Sequence, residues 1–303
     1  MQTKQENVSQ PCDCCGSSQW EYRFSENGFD LGRCTDCGLH YLSEMPSPNS
    51  RATGMKAGLS DDSPHVAQAQ VCNKAERHRT RKFQHFCSLI RESAPPGKWL
   101  DIGCGTGTLI AVAMASGVEI EGVELISDRR ELAGMLTGAK IHDRPIELLD
   151  LSPALFAAVT LTDVFSHLLS PIATLSNIHR ILQPGGILLL YTSEVGDGVA
   201  RHHNYSWDLG DHRYYLGEHT IERYADKIGF ELVYREKAWA PDLLYSRDNF
   251  LTPGRSILRN MIKTSCVYTP GVLPILRWYM LKMKNRDNPH YVSTLLLKKR
   301  TVS

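Results

Sequence analysis

Trp99-Leu-Asp-Ile-Gly-Cys-Gly-Thr-Gly107 decides the fold of this chain. An apolar start, Trp99-Leu100, runs into Asp101, and three glycines follow at alternate positions, Gly103, Gly105 and Gly107. Such a run reads as a buried strand feeding a tight turn, where a ligand can approach the backbone because no Cβ stands in the way. Thr108 to Ser116 is apolar and rich in helix formers, so the turn opens a helix. Strand, glycine turn and helix form the start of a nucleotide-binding α/β unit.

The dinucleotide fingerprint, G-x-G-x-x-G, lays a pyrophosphate on the helix N-terminus. Here the third glycine comes one residue early and an aspartate lies just ahead of the first. A carboxylate would repel a pyrophosphate but suits a ligand carrying an ammonium group. S-adenosylmethionine is such a ligand, and the segment resembles the first motif of class I S-adenosylmethionine-dependent methyltransferases.

Later segments extend the resemblance. Glu119-Ile-Glu-Gly-Val-Glu124 alternates and ends on an acid roughly twenty residues past the loop, where Rossmann-like sites grip ribose hydroxyls. Lys140-Ile-His-Asp143 is a short strand whose aspartate matches the family's contact to the adenine amine; such aspartates are also common turn residues. Phe156 to Leu168 looks like the fourth strand and its following loop, with Ala157 where the family usually has an aspartate. Ile178 to Tyr191 reads as a helix end, a Pro184-Gly-Gly186 turn and a strand apolar enough to be buried on both faces. Thr220 to Val233 reads as a helix capped by Gly229 and then a strand. The resemblance implies a Rossmann-like, doubly wound, seven-stranded α/β sheet. It also implies cofactor contacts from Asp101, Gly103, Cys104, Gly105, Gly107, Glu124, Leu125, Asp143, Thr162 and Asp163.

A second signal lies upstream. Cys12-x2-Cys15 and Cys34-x2-Cys37 are separated by eighteen residues, a spacing that reads as a tetrahedral structural zinc site. Gly16 and Gly38 follow the pairs, and the expectation is that these turns aim backbone N–H groups at the thiolates. Cys14 is the odd thiol. Met1 to Pro11 is polar and lacks a signal-peptide pattern, which points to a cytoplasmic setting where disulfides are disfavoured.

These readings divide the chain into a zinc ribbon over 1–42, a linker or flap rich in Ser, Pro, Gly and Asp over 43–65, and a methyltransferase domain over 66–303. A helix over 66–93 carries an apolar stripe through Phe86, Leu89 and Ile90 and a basic face with Lys74, Arg77, Arg79, Arg81 and Lys82, read as solvated, although the resemblance also implies a leading helix that closes over the cofactor. The formal net charge is +1, yet ten Lys or Arg against one acid lie from Arg255 onward. Within this end, a basic amphipathic segment over 255–286 reads as a helical lid inserted before a last strand at Tyr291–Lys298. Peripheral contact with an anionic membrane is its other reading.

For the chemistry, His167 lies in the loop bordering the methyl donor and is the candidate base. In ubiquinone-biosynthesis O-methyltransferases, which this segment resembles, two acids and the adjacent histidine can hold a divalent ion. Asp163 and His167 match, but Ser166 stands at the second acid, which argues against that metal set. After the fifth strand, Arg201 to Tyr215 gathers aromatics and histidines where the family builds its acceptor pocket. His212 is a second catalytic candidate there, and Trp207, Tyr214 and Tyr215 are substrate candidates. The reading is methyl transfer to O, C or N of a small molecule such as a sugar, nucleotide sugar or quinone. Two alternatives stay open: an RNA methyltransferase, against which near-neutral charge argues, and a non-catalytic cofactor-binding module.

Overall fold

The computed structural model of the protein describes residues 10–46, 74–199, 207–239, 275 and 290–301. Its main sheet has seven strands. Four are parallel and run from the glycine-loop strand: β4 (Trp99–Ile102), β5 (Ile120–Val123), β6 (Ile141–His142) and β7 (Phe156–Thr162). The fifth parallel strand is β8 (Leu182–Val195), and β10 (Phe230–Trp239) and β11 (His290–Lys299) complete the sheet. The order is β10-β11-β8-β7-β4-β5-β6, with β11 antiparallel to both its neighbours. From β4 the chain steps outward to β5 and β6, then crosses back to β7 and β8. The order therefore reverses between β4 and β7, the point where open α/β sheets leave a crevice at their carboxyl edge.

The central strands are apolar because both faces are covered. On one face α1 (Lys74–Ser93) and α2 (Thr108–Ala115) pack Phe86, Ile90, Leu109 and Ile110 against Ile187, Leu189 and Leu296. On the other, α4 (Pro171–Ile181) and α5 (Thr220–Ile228) pack Leu175, Ile178 and Tyr224 against Leu161, Leu188 and Leu295. A further helix, α3 (Ser127–Thr137), joins β5 to β6. Gly229 ends α5 at φ 104°, as its sequence suggested. The Pro184-Gly-Gly turn lies inside β8 as an irregularity: Phe156 pairs with Leu182, and pairing resumes only at Ala158 with Ile187.

Upstream, β1 (Trp20–Glu26) and β2 (Phe29–Cys34) form a hairpin closed by Asn27 and Gly28, both at positive φ, the two-residue turn that matches strand twist. β3 (His40–Leu42) adds to β2. This small sheet is completed from far along the chain. The two-residue strand β9 (Tyr214–Tyr215) pairs antiparallel with β3, His40 with Tyr215 and Tyr41 with Tyr214. The next residue, Leu216, bonds the end of β8: Val195 N–H reaches its carbonyl at 2.8 Å. Residues 214–216 thus join the two sheets, which no local pattern announced.

Side chains reinforce the junction. Asp13 accepts hydrogen bonds from Ser170 Oγ (2.7 Å), the Ile172 amide (2.8 Å) and Tyr224 Oη (2.8 Å). It thereby supplies a carboxylate to the N-terminus of α4, where the free amides and the helix dipole favour negative charge. Thr220 Oγ1 donates to the Cys37 carbonyl and Lys227 Nζ to the Cys14 carbonyl. A Cβ on Gly217 would stand 2.0 Å from the Gly38 carbonyl oxygen, so only glycine permits this approach. Cys12, Trp20, Leu39 and Tyr41 share one apolar cluster with Phe165, Leu175, Ile221 and Phe230.

Of the flanking segments expected from sequence, the flap beyond residue 46, the helix before residue 74, Arg201–Ser206 and the basic segment 255–286 apart from Ile275 lie outside the described residues. Among the described residues no helix is long and apolar enough to cross a membrane.

Replacing Asp13 by Ala strips an α4 amide and the Tyr224 hydroxyl of their acceptor. The expected cost is about 1–3 kcal/mol of stability, measured by denaturant unfolding; a loss under about 0.5 kcal/mol, the range of ordinary surface changes, would show that the junction does not depend on it.

Candidate active site

The glycine loop leaves β4 at the sheet's reversal point. Gly103, Gly105 and Gly107 all have positive φ (73°, 56° and 84°), a conformation that penalises any side chain. A Cβ on Gly107 would also press on Ala133 and Thr137 of α3 at 3.1–3.3 Å, so this glycine sets how closely α2 and α3 pack. Around Gly105 the space is open.

Glu124, buried at the carboxyl end of β5, organises the loop. Its Oε2 accepts the Gly105 amide and its Oε1 the Ile126 amide, each at 2.9 Å, while Arg130 donates to the Glu124 carbonyl at 3.0 Å. Leu125 beside it is exposed at the cleft's edge, and Cys104 is buried beneath the loop. Asp143, just past β6, is an exposed side chain 4.0 Å from Arg144 Nε.

Asp101 is 1% exposed and accepts a 2.6 Å hydrogen bond from Thr160 Oγ1, its register partner on β7. Burial drives its carboxyl up to about 7; the Thr160 bond opposes this and the Glu124 charge adds to it. Thr160 was not foreseen: it lies inside an apolar strand, and only the parallel register brings it to Asp101.

Across the reversal point, β7 ends in Thr162, and Asp163 follows it at φ 58°. Lys82 of α1 reaches the same spot, its Nζ 3.9 Å from Asp163 Oδ2 and 4.2 Å above the Tyr191 ring. The basic face of α1, expected to be solvated, therefore delivers one lysine into the cleft. Desolvation lowers the affinity of Lys82 for its proton and raises that of the Asp163 carboxyl, while their mutual attraction opposes both shifts. Nothing in the charge run singled Lys82 out from its neighbours.

The two candidate histidines come together from different elements. His167 ends a single 3-10 turn after β7, and His212 lies in the turn before β9; their ring centroids are 4.6 Å apart. His167 Nδ1 faces the Asp211 carbonyl at 3.1 Å and the Asp211 carboxylate at 3.6 Å. His212 Nδ1 faces the Trp207 carbonyl at 3.0 Å, and burial followed by the neighbouring His167 lowers its basicity. Ser166 is buried, and its carbonyl accepts the Arg213 amide at 2.7 Å. Asp211 was missed by sequence reading, although it directly precedes His212.

The aromatic candidates sit differently from expectation. Trp207, Tyr214 and Tyr215 are all but fully buried in the seam between ribbon and main sheet. Tyr214 donates its hydroxyl to the Leu169 carbonyl, and Tyr215 to the Trp207 carbonyl. Trp207 packs on Phe24 and Tyr215. The Trp207 carbonyl and the Tyr215 hydroxyl both face His212 Nδ1, at 3.0 and 3.3 Å, which holds that imidazole in place.

In the ribbon, Cys12 and Cys37 Sγ are 3.4 Å apart, Cys15 and Cys34 Sγ 3.6 Å, and all four sulfurs lie within 4.8 Å of one another. The turns aim backbone N–H groups at sulfur: the amides of Cys15, Asp36, Cys37 and Leu39 supply the N–H···S contacts. The amides of Gly16 and Gly38 bond the carbonyls of Cys12 and Cys34, closing the turns.

Residues 75–235, just over half of the chain, match the family described as Methyltransferase domain. The chain belongs to this methyltransferase family. The ubiquinone biosynthesis O-methyltransferase of Dechloromonas aromatica (strain RCB) is 31% identical over 99 residues, 31% of this chain and 43% of that protein. That of Xanthomonas campestris pv. campestris (strain B100) is 28% identical over 108 residues, 34% and 45% of the two chains. The chain thus spans less than half the length of these curated relatives. Among solved structures, Haemonchus contortus phosphoethanolamine N-methyltransferase 2, in complex with phosphomonomethylethanolamine and S-adenosylhomocysteine, superposes with a TM-score of 0.52 at 20% identity, covering 72% of this chain and 53% of that one. Geranyl diphosphate C-methyltransferase from Streptomyces coelicolor A3(2) superposes with 0.52 at 11% identity, covering 73% and 80%. The methyltransferase domain therefore has the α/β fold expected from sequence.

Asp101 gives the methyltransferase domain a pH signature. Its carboxyl holds a proton more tightly folded than unfolded, so the folded state binds more protons between about pH 4 and about pH 7. The ligand-free protein should lose stability as pH rises through this window, by a few kcal/mol from this group. Asp101→Asn should flatten that slope, read as unfolding midpoints at the two ends; an unchanged slope would assign it to other groups.

Proposed function

We propose that this chain transfers the methyl group of S-adenosylmethionine to an oxygen, carbon or nitrogen of a small-molecule acceptor. The observation that carries this reading is the acid-glycine loop at the sheet's reversal point, with Glu124 at the next strand end and the His167–His212 pair across Asp163. The residues fit the donor. Asp101 is a buried carboxylate without a charged partner among the described residues, and a ligand's ammonium group would supply one. Glu124 is oriented by two amides and can accept ribose hydroxyls. The acidic lining from Asp101, Glu124 and Asp163 favours a cation over a phosphate.

When bound, the donor supplies an electrophilic methyl carbon on sulfur. This chain's contribution is alignment and proton management. Each Nδ1 faces a main-chain carbonyl, which only accepts, so this contact favours the tautomer with the proton on Nδ1 and, in the neutral ring, a lone pair on Nε2. For a hydroxyl acceptor, the oxygen forms a bond to the methyl carbon as the carbon–sulfur bond breaks, and the hydroxyl proton leaves toward these imidazoles. S-adenosylhomocysteine and the methylated acceptor are the products. Tyr214 and Tyr215 form β9 and His212 lies in the turn before it, so the acceptor side is tied to the ribbon, for which we propose one structural zinc on Cys12, Cys15, Cys34 and Cys37.

The test is a mass-spectrometric screen of sugars, nucleotide sugars and phenols for one added methyl group with S-adenosylhomocysteine formation. With the responding acceptor, His167→Ala and His212→Ala should each cut turnover by about 100-fold or more while donor affinity, measured by calorimetry, stays within about twofold. If neither variant changes turnover, the histidines are not the acceptor's partners. Purified protein should contain one tightly held zinc per chain, and Cys34→Ser should release it together with acceptor turnover. A folded, active sample free of zinc would remove the ribbon assignment.

A further inference from the structure

Arg213 is a buried charge without a counter-charge. The residue is 2% exposed, yet among the described residues no carboxylate pairs with its guanidinium. Nη2 donates to the Pro46 carbonyl at 3.2 Å, and the buried Nε meets no acceptor there. Three other arginines also bury Nε, and each is matched by an acid: Arg23 by Glu21 at 3.0 Å, Arg33 by Asp197 at 2.7 Å and Arg235 by Glu222 at 2.8 Å. Asp211, two residues before Arg213, faces His167 Nδ1 with its carboxylate, at 3.6 Å. A guanidinium keeps its charge in a protein, so burying one is costly until an anion joins it.

The backbone sets this guanidinium beside the histidine pair. The Arg213 amide donates to the Ser166 carbonyl at 2.7 Å, one residue from His167, and the Arg213 carbonyl accepts the Leu42 amide at 3.3 Å. Its chain neighbour is His212, whose ring meets that of His167. Arg213 is thus stapled between the turn after β7 and the end of β3, on the ribbon side of the histidines. The acids Asp101 and Glu124 lie elsewhere, in β4 and just past β5. The site is therefore divided by charge, with carboxylates where the donor's ammonium and ribose are proposed to bind and a cation on the other side.

The geometry points to Arg213 as the seat of an oxyanion, carboxylate or phosphate, carried by the methyl acceptor. This inference rests on the methyl-transfer reading and narrows its substrate class to acidic small molecules, such as a hydroxy acid, a phenolic acid or a sugar phosphate. A guanidinium offers these groups parallel N–H bonds in a planar fork, and Nε is still unspent. Arg213 binds and orients the acceptor's acid group, and the histidines face its hydroxyl. A neutral alcohol lacks this handle and would leave the guanidinium buried and uncompensated.

Inorganic phosphate and acetate are the probes, one for each source of the oxyanion, added to the full chain with isotope-labelled arginine. At least one of them should shift the Arg213 Nε–H resonance, a signal absent from Arg213→Lys and Arg213→Gln. In the acceptor screen, the molecules that are methylated should carry the same oxyanion. For these, Arg213→Gln should raise KM by about tenfold or more, the size of one hydrogen bond to a charged group, with Arg213→Lys in between. Ribbon zinc and donor affinity should match those of the native chain in both variants, which reports that they remain folded. Should a variant lose its zinc, the resonance of the native chain, assigned through its own backbone, decides alone. An Nε–H signal that neither anion moves, or a methylated acceptor whose KM is unchanged in Arg213→Gln, would overturn the assignment. Anion binding and methyl transfer are scored separately. A shifted Nε–H without transfer to any acceptor would leave the anion seat standing and sink the transfer reading; transfer with an unmoved Nε–H would do the reverse.

Discussion

The backbone of residues 214–216 cannot leave its amides and carbonyls unpaired in a buried seam, and it satisfies them from two sheets at once. Tyr214 and Tyr215 complete the ribbon sheet, and Leu216 bonds the end of β8. The His167–His212 side of the domain hangs from this constraint. It fixes the turn that carries Asp211 and His212, and it buries Trp207 beneath them. It also makes the cysteine cluster part of the domain's core, because Cys12, Cys34 and Cys37 pack in the same apolar cluster as Phe165 and Tyr224. A ribbon that could swing free would leave those apolar surfaces wet, at roughly 25 cal/mol per Å2 exposed.

The donor side obeys a different constraint. Parallel pairing of β4 with β7 sets Asp101 opposite Thr160 and places the two following loops at the sheet's reversal point. Glycines there keep the backbone bare, while Glu124 holds the loop through its amides. The loops at this point carry carboxylates, and among the described residues Lys82, from α1, approaches Asp163 and rests on the Tyr191 ring. A positively charged ligand fits this lining better than a phosphate does, because burial makes an uncompensated carboxylate costly.

Much of this was legible in the residues. The loop after Trp99, the acid at Glu124, the apolar strand after Gly186 and the glycine stop at Gly229 are local patterns whose physics is local too: φ freedom, strand length, a buried face. The cysteine spacing was equally readable. That the turns aim N–H groups at sulfur was readable too, although which amides do so depends on how each turn closes. Lys82 was hidden among its basic neighbours, since a helix face becomes a cleft wall only when another element stands opposite. Trp207, Tyr214 and Tyr215 looked like ligand contacts because aromatic clusters near a site suggest them; where they lie, buried between two sheets, came only from the tertiary structure.

The sequence by itself determined the nucleotide-binding unit, its order of strands and helices, and the four thiols, because each rests on short-range spacing. Tertiary structure alone decided that a strand 175 residues downstream closes the ribbon sheet, Tyr215 against His40, and that His167 meets His212. Both are pairings across long stretches of chain, fixed by the hydrogen-bond demand of a buried backbone and the shape of the core around it, and neither leaves a periodic mark in the residues.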